Sequence, residues 1–224
     1  MTDQDITVAG SPSIASVKGT VREKRRLETR AAVLKAAAVL FSEAGFRGVA
    51  VDDIAKAAGV RKNNLLYHFS SKEELWKETV DMVFGQADEF FATVRSQKYE
   101  NAWEGFEAFL RSYFEACRRF PAYILMPMIE GVSESWRTDY IAERHLSRHV
   151  KSFDTYVRSL VAQGVLPPVE PLHLQNILTG GAQLFLATPP LWRKATDTDT
   201  QDPAFVETYA QSLLGLIKAA CPTA

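Results

Sequence analysis

Only two cysteines, Cys117 and Cys221, occur in the 224 residues, far apart and without a C-x-x-C pair. A disulfide scaffold and a zinc ribbon are therefore not expected, and the thiols fit a reducing cytoplasm. No run of about 18 apolar residues is present, so no membrane partner is expected. The first twenty residues lack a positive segment followed by an apolar one and are not read as a secretory leader. Also missing are a Walker loop, a dinucleotide fingerprint, a G-x-S-x-G elbow and a Cys/His pair in suitable context. No enzymatic activity, cofactor or metal is expected. Strand-like alternation and internal repeats are absent too, which leaves an all-α chain.

Charge is present but unevenly placed. The formal net charge is -1, yet Lys18 to Lys77 holds 13 Lys+Arg against 7 Asp+Glu, a net of +6. The remaining residues hold 13 against 20, a net of -7. A basic head on an acidic body suits phosphate binding at one end only. Residues 1–20, rich in Ser, Thr, Gly and Asp, are read as a disordered tail. Its end carries Lys18, Arg22, Lys24, Arg25 and Arg26. Such a run is ordinarily a solvated charge cluster, but ahead of a DNA-binding head it could touch backbone phosphate or a minor groove.

Apolar periodicity gives about nine helices. The first runs from roughly Glu23 to Ala44 on the stripe Leu27, Ala31, Leu34, Ala38 and Phe41, and stops at Gly45. Two short helices follow, about Val51 to Ala58 and about Lys62 to Phe69, joined at Gly59; the second would turn Leu65, Leu66 and Phe69 inward. Ser71 with Glu74, and Ser70 with Glu73, form capping-box patterns that start a fourth helix reaching about Gln97. Further helices are expected near 101–119, from Pro121 to about Val132, 137–163, 172–187 and 203–219. The intervening TPPLWRKATDTDTQD is read as a loop. The resulting organisation is a tail (1–20), a three-helix helix-turn-helix DNA-binding head (21–77) and a second, larger helical domain (78–224).

The chemistry lies on the third helix, where Arg61, Lys62, Asn63, Asn64, Tyr67 and His68 crowd into two turns. Arg and Lys donate to guanine or phosphate, Asn bonds an adenine edge in two places, and Tyr reaches phosphate. Base contacts are expected from Lys62, Asn63 and Asn64, and phosphate contacts from Tyr67, His68, Lys72 and Arg47, with Arg61 also at the interface. The stretch AVDDIAKAAGVRKNNLLYHFSSKEELW resembles the DNA-binding head of the tetracycline-repressor (TetR/AcrR) family of bacterial regulators. The likeness is carried by Gly59-Val60, Leu65-Leu66-Tyr67-His68-Phe69 and Ser71-Lys72-Glu73-Glu74-Leu75. One departure is Val49-Ala50, where the family usually opens its second helix with Thr or Ser. Phe120-Pro121 before a Met-rich helix ending Glu130-Gly131, and Gly164 to Leu174, are similar to the Rut-type (pyrimidine-utilisation regulator) branch.

The resemblance implies a homodimer on a near-palindromic operator, joined through the last two helices (about 172–187 and 203–219). Leu174, Ile177, Leu178, Leu184, Phe185, Phe205, Tyr209, Leu213, Leu216 and Ile217 supply apolar surface there, and Thr179-Gly180-Gly181-Ala182 would allow close approach. It also implies a small-molecule effector, aromatic or pyrimidine-like. Candidate cavity walls are Trp103, Phe106, Phe109, Tyr113, Met126, Met128, Trp136, Phe153 and Tyr156. Tyr113, Tyr156, Gln183 or a histidine could be the directed polar groups. His145 and His149, at i and i+4, could meet one metal, but nothing nearby completes a ligand set and an edge-of-core role is expected. The expected function is a ligand-responsive transcriptional regulator, a repressor. Alternatives are a ligand-insensitive DNA-architectural protein or an enzyme using the aromatic cavity.

Overall fold

In the computed structural model, which describes residues 14–221, the elements are helical throughout: α1 (Ile14–Gly48), α2 (Val51–Ala57), α3 (Lys62–His68), α4 (Lys72–Arg95), α5 (Ala102–Arg119), α6 (Pro121–Glu130), α7 (Trp136–Ile141), α8 (Ser147–Ala162), α9 (Pro171–Ala187), α10 (Pro189–Thr196) and α11 (Pro203–Ala219). A single π turn, Ala142–Leu146, joins α7 to α8 without a break. Among the described residues no helix is long and apolar enough to cross a membrane.

Two elements differ from expectation. α1 begins at Ile14, so residues 14–20, read as a disordered tail, are helical, and the basic run Arg22 to Arg26 lies well inside the helix; residues 1–13 lie outside the described ones. At its other end Gly45 breaks the helix with φ 66° and ψ 173°, a conformation nearly restricted to glycine. The expected loop after α9 contains α10. Pro189 and Pro190 occupy its first turn, where no N–H is needed. The Trp192 ring packs 4.6 Å from Phe185, and Asp197 closes the helix in a left-handed conformation. Composition suggested a loop; packing of one tryptophan makes a helix.

Apolar side chains gather in two main cores. The first joins α1, α2 and α3 to the first half of α4 and takes in Met126 of α6 and Ile141 of α7. The head is thus packed directly on α6 and α7, and its apolar core runs past Lys77 through Val80, Val83 and Phe84. The second core is built by α5, α8, α9 and α11 around Phe106, Leu110, Phe114, Val157 and Leu178. Ala87, Phe91 and Ala116 form a small bridge between α4 and α5. α4 therefore runs from one core to the other over about 36 Å at 1.5 Å per residue.

Candidate DNA interface and effector cavity

The α2–α3 turn is a Schellman closure. Val60 N–H donates to Ala55 O at 2.9 Å and Gly59 N–H to Lys56 O at 3.1 Å, with Gly59 at φ 66°. Leu65 and Phe69 are buried and seat α3 against α1 and α2. Leu66, expected to face inward, is instead exposed, because it is rotated 100° from Leu65 on a helix too short to bury two faces. Arg61, Asn63 and Asn64 are exposed, and Tyr67 keeps 73% of its surface in solvent. Arg47, in the last turn of α1, is exposed as well.

Two other expected contact residues already have partners, and a third is partly buried. Lys62 Nζ lies 2.9 Å from Asp52 Oδ2, tying α3 to the first turn of α2. Lys72 is half-buried with its ammonium 4.4 Å above the Phe46 ring. Burial, then the charges of Arg26 and Arg30, holds the His68 imidazole below its ordinary value. Ala50, the residue before α2, offers no side-chain cap, and the helix start is instead favoured by the negative charges of Asp52 and Asp53 in its first turn. The start of α4 has the expected Ser71–Glu74 cap: Ser71 Oγ accepts from Glu74 N–H at 3.0 Å. The returning Glu74 carboxylate accepts from Ser70 N–H at 2.6 Å, while Glu73 turns to Lys77 instead of Ser70.

A buried contact fixes the head to α6 and α7. Glu130 Oε1 accepts from Phe46 N–H at 2.6 Å, and its other oxygen pairs with Arg137 Nε at 2.5 Å, both side chains almost wholly buried. The Phe46 ring meets Trp76 and Trp136 edge-on.

A cavity of about 780 Å³ opens among α4, α5, α6, α8 and α9. Four expected wall residues line it: Phe109, Tyr113, Phe153 and Tyr156. The other five lie elsewhere. Trp103 covers the second core beside Phe106 and bonds Glu107, and Phe106 is fully inside that core. Met126 and Trp136 belong to the head core, and Met128 is exposed on α6. An apolar stripe says that a side chain is buried, not in which of two cores.

Sequence reasoning missed Asp88, Phe91 and Arg95 on α4, Tyr123 on α6, Arg148 on α8 and Gln175 on α9; Gln175 takes the place expected for Gln183. Phe84, Asp88, Phe91 and Arg95 recur at helical spacing, and that stripe was the available signal. Burial pushes the hydroxyls of Tyr113 and Tyr123 well above the usual phenol range, so both stay neutral. Burial likewise pushes the Cys117 thiol, next to Tyr113, up to about 12.

His145 and His149 do not converge on one point. His145 Nε2 meets Asp81 Oδ1 at 2.8 Å and His149 Nε2 meets Asp88 Oδ1 at 2.9 Å, both aspartates on α4. Arg144 and Arg148 pair with the same two carboxylates. The π turn widens the helix to more than four residues per turn, which brings Tyr140 and His145, five residues apart, onto one carboxylate.

Residues 33–79 match the family described as bacterial regulatory proteins, tetR family. The chain is 26% identical over 211 residues to the HTH-type transcriptional regulator RutR of Escherichia coli K12, covering 90% of this chain and 95% of that protein. Its fold is similar to AibR solved in complex with isovaleryl coenzyme A and operator DNA, with TM-score 0.65, 19% identity, and coverage of 87% and 100%. It is also similar to FadR of Bacillus subtilis in complex with stearoyl-CoA, with TM-score 0.62, 16% identity, and coverage of 85% and 98%. Homologues of this kind are transcriptional regulators rather than enzymes. The chain thus carries, over residues 33–79, the amino-terminal domain of the tetR family of bacterial regulatory proteins and is a homologue of RutR and other tetR-family regulators.

Proposed function

We propose that the protein is a dimeric repressor that reads an operator through α3 and leaves it when a small molecule fills the cavity beside α4. The observation that carries this is the exposed polar face of α3, Arg61, Asn63, Asn64 and Tyr67, held rigidly from behind by Leu65 and Phe69. Side chains fixed in this way can enter a major groove without a large ordering cost. His68, Lys72 and Arg47 flank the face and serve phosphate, and Lys62 exchanges its Asp52 partner for a base edge. Heads linked through α9 and α11 would meet two half-sites.

The effector reading rests on the cavity. Its aromatic walls suit a flat or apolar molecule, and its rim carries Arg95, Arg148 and Asp88. A cavity of about 780 Å³ matches a drug-sized ligand and is underfilled by a single pyrimidine ring. A second reading, an acyl thioester, is favoured by the same volume and by the coenzyme A ligands of the AibR and FadR structures. Because α4 lines the cavity with Asp88 and Phe91 and enters the head core with Trp76 and Val80, a ligand binding one α4 placement better than another shifts both heads.

The test begins with an operator selected from a random duplex pool. Asn64→Ala with Tyr67→Ala should abolish retardation of that fragment while the protein elutes at its unchanged size; retained binding refutes the role of α3. Thermal shifts against pyrimidines, aromatic acids and acyl-coenzyme A esters, each followed by release from the operator, identify the effector class. Stabilisation without release would leave a binding protein that is not ligand-controlled.

A further inference from the structure

We infer that the amino-terminal turns of α1 form a second phosphate-binding surface, in which Arg22, Arg25 and Arg26 hold the duplex backbone beyond the groove read by α3. This rests on the reading of α3 as the DNA-reading helix.

The run is not a loose arm, because α1 is continuous through it. Its position relative to α3 is set by Arg30, whose guanidinium carbon stands 5.2 Å above the Phe69 ring and which also pairs with Glu78 of α4. One turn further out, the charge of Arg26 reaches both His68 and Tyr67 on α3. Another turn brings Arg22, about 12 Å along the axis from Arg30. At 100° per residue Arg22, Arg25 and Arg26 fall within an arc of about 100°, and Glu23 and Glu28 fall outside it. The basic stripe therefore lies along one side of the helix and includes the residue whose charge reaches α3.

These turns have no packing role to explain them, since residues 21–28 are all exposed. Glu23 takes Arg26, and Glu28 is 4.0 Å from Lys24. Among the described residues Arg22 and Arg25 make no ion pair. Two unpaired guanidinium groups beside the reading helix, on a rigid rod, match a surface of regularly spaced negative charge. A duplex seated on Tyr67 and Asn64 presents its backbone to this side first.

The experiment measures binding of the full chain to a mixed-sequence DNA duplex, several helical turns long, by fluorescence anisotropy across a salt series. Arg22→Gln with Arg25→Gln keeps helix-forming side chains and removes the charge. Its plot of log affinity against log salt should flatten by roughly 1 unit for each phosphate left without its arginine, with affinity at least about tenfold weaker at low salt. Arg22→Lys with Arg25→Lys should keep the wild-type slope, because phosphate accepts a point charge. A wild-type slope in the Gln variant, with unchanged helical circular dichroism, overturns the inference, as does a loss that Lys fails to restore. Those failures leave wild-type binding intact; a wild-type chain that binds no duplex removes the α3 reading as well.

Discussion

Asp81 accepts four hydrogen bonds, from Tyr140 Oη, Arg144 Nε and Nη2, and His145 Nε2, between 2.8 and 3.0 Å. These hold its carboxyl below the usual range although burial opposes them. For His145 the balance is reversed. Burial against the stacked Phe84 ring, with Arg144 and Arg148 close by, holds the imidazole below its ordinary value despite Asp81. A base that protonates less readily folded than unfolded contributes stability that is intact above its unfolded pKa, about 6.5, and lost as the pH falls beneath it. The urea midpoint should therefore drop between about pH 7 and pH 5, and His145→Gln should make that drop shallower; an unchanged profile would exclude His145 as its source. Glu130 poses a different problem, because removing it strands Arg137 in the interior and leaves Phe46 N–H without an acceptor. Glu130→Ala should cost about 3–5 kcal/mol in urea unfolding. Glu130→Gln retains an acceptor for the backbone and should cost less.

At the scale of elements, the legible features were those with a local cause. Gly45 and Gly59 stand where the chain needs positive φ, and Ser71 with Glu74 starts α4, all from neighbours within a few residues. Gly59 offers a clean test because a Cβ there would meet nothing within 4 Å. Gly59→Ala should thus cost only the left-handed conformation, about 1–2 kcal/mol, and Asn should recover part of it. Urea unfolding of the two variants decides this, and a larger loss for Ala would point to a hidden contact. The features that stayed illegible have causes far along the chain. α10 depends on Trp192 finding Phe185, and its Pro, Thr and Asp content hid it. The π turn depends on Asp81, more than sixty residues earlier, and no period in the sequence reports it. Only four of the nine expected wall residues line the cavity, for the same reason: Trp136 and Phe153 were both read as buried aromatics but enter different cores.

For the whole molecule, the surface left on α9 and α11 is the feature a single chain does not explain. Ile177, Leu184 and Leu216 keep 59%, 53% and 71% of their surface in solvent, next to the open backbone at Gly180 and Gly215. The inner faces of the same helices are already occupied, with Leu174, Leu178 and Ala182 buried and Gly181 lying close against the Tyr209 hydroxyl. Neighbouring glycines and leucines that a Cβ would not crowd form a face able to meet its own copy across a two-fold axis. A charge placed there would be desolvated on association, and twice over, because each substitution appears on both sides of such an interface. Ile177→Glu with Leu216→Glu should therefore elute as a monomer while its helical circular dichroism is kept. Operator affinity should then fall by roughly 10²–10⁴, the gain that linking two half-site contacts provides, even though every residue of α3 is untouched. A variant that remains dimeric would place the interface on another face and would leave Ile177 and Leu216 without a role.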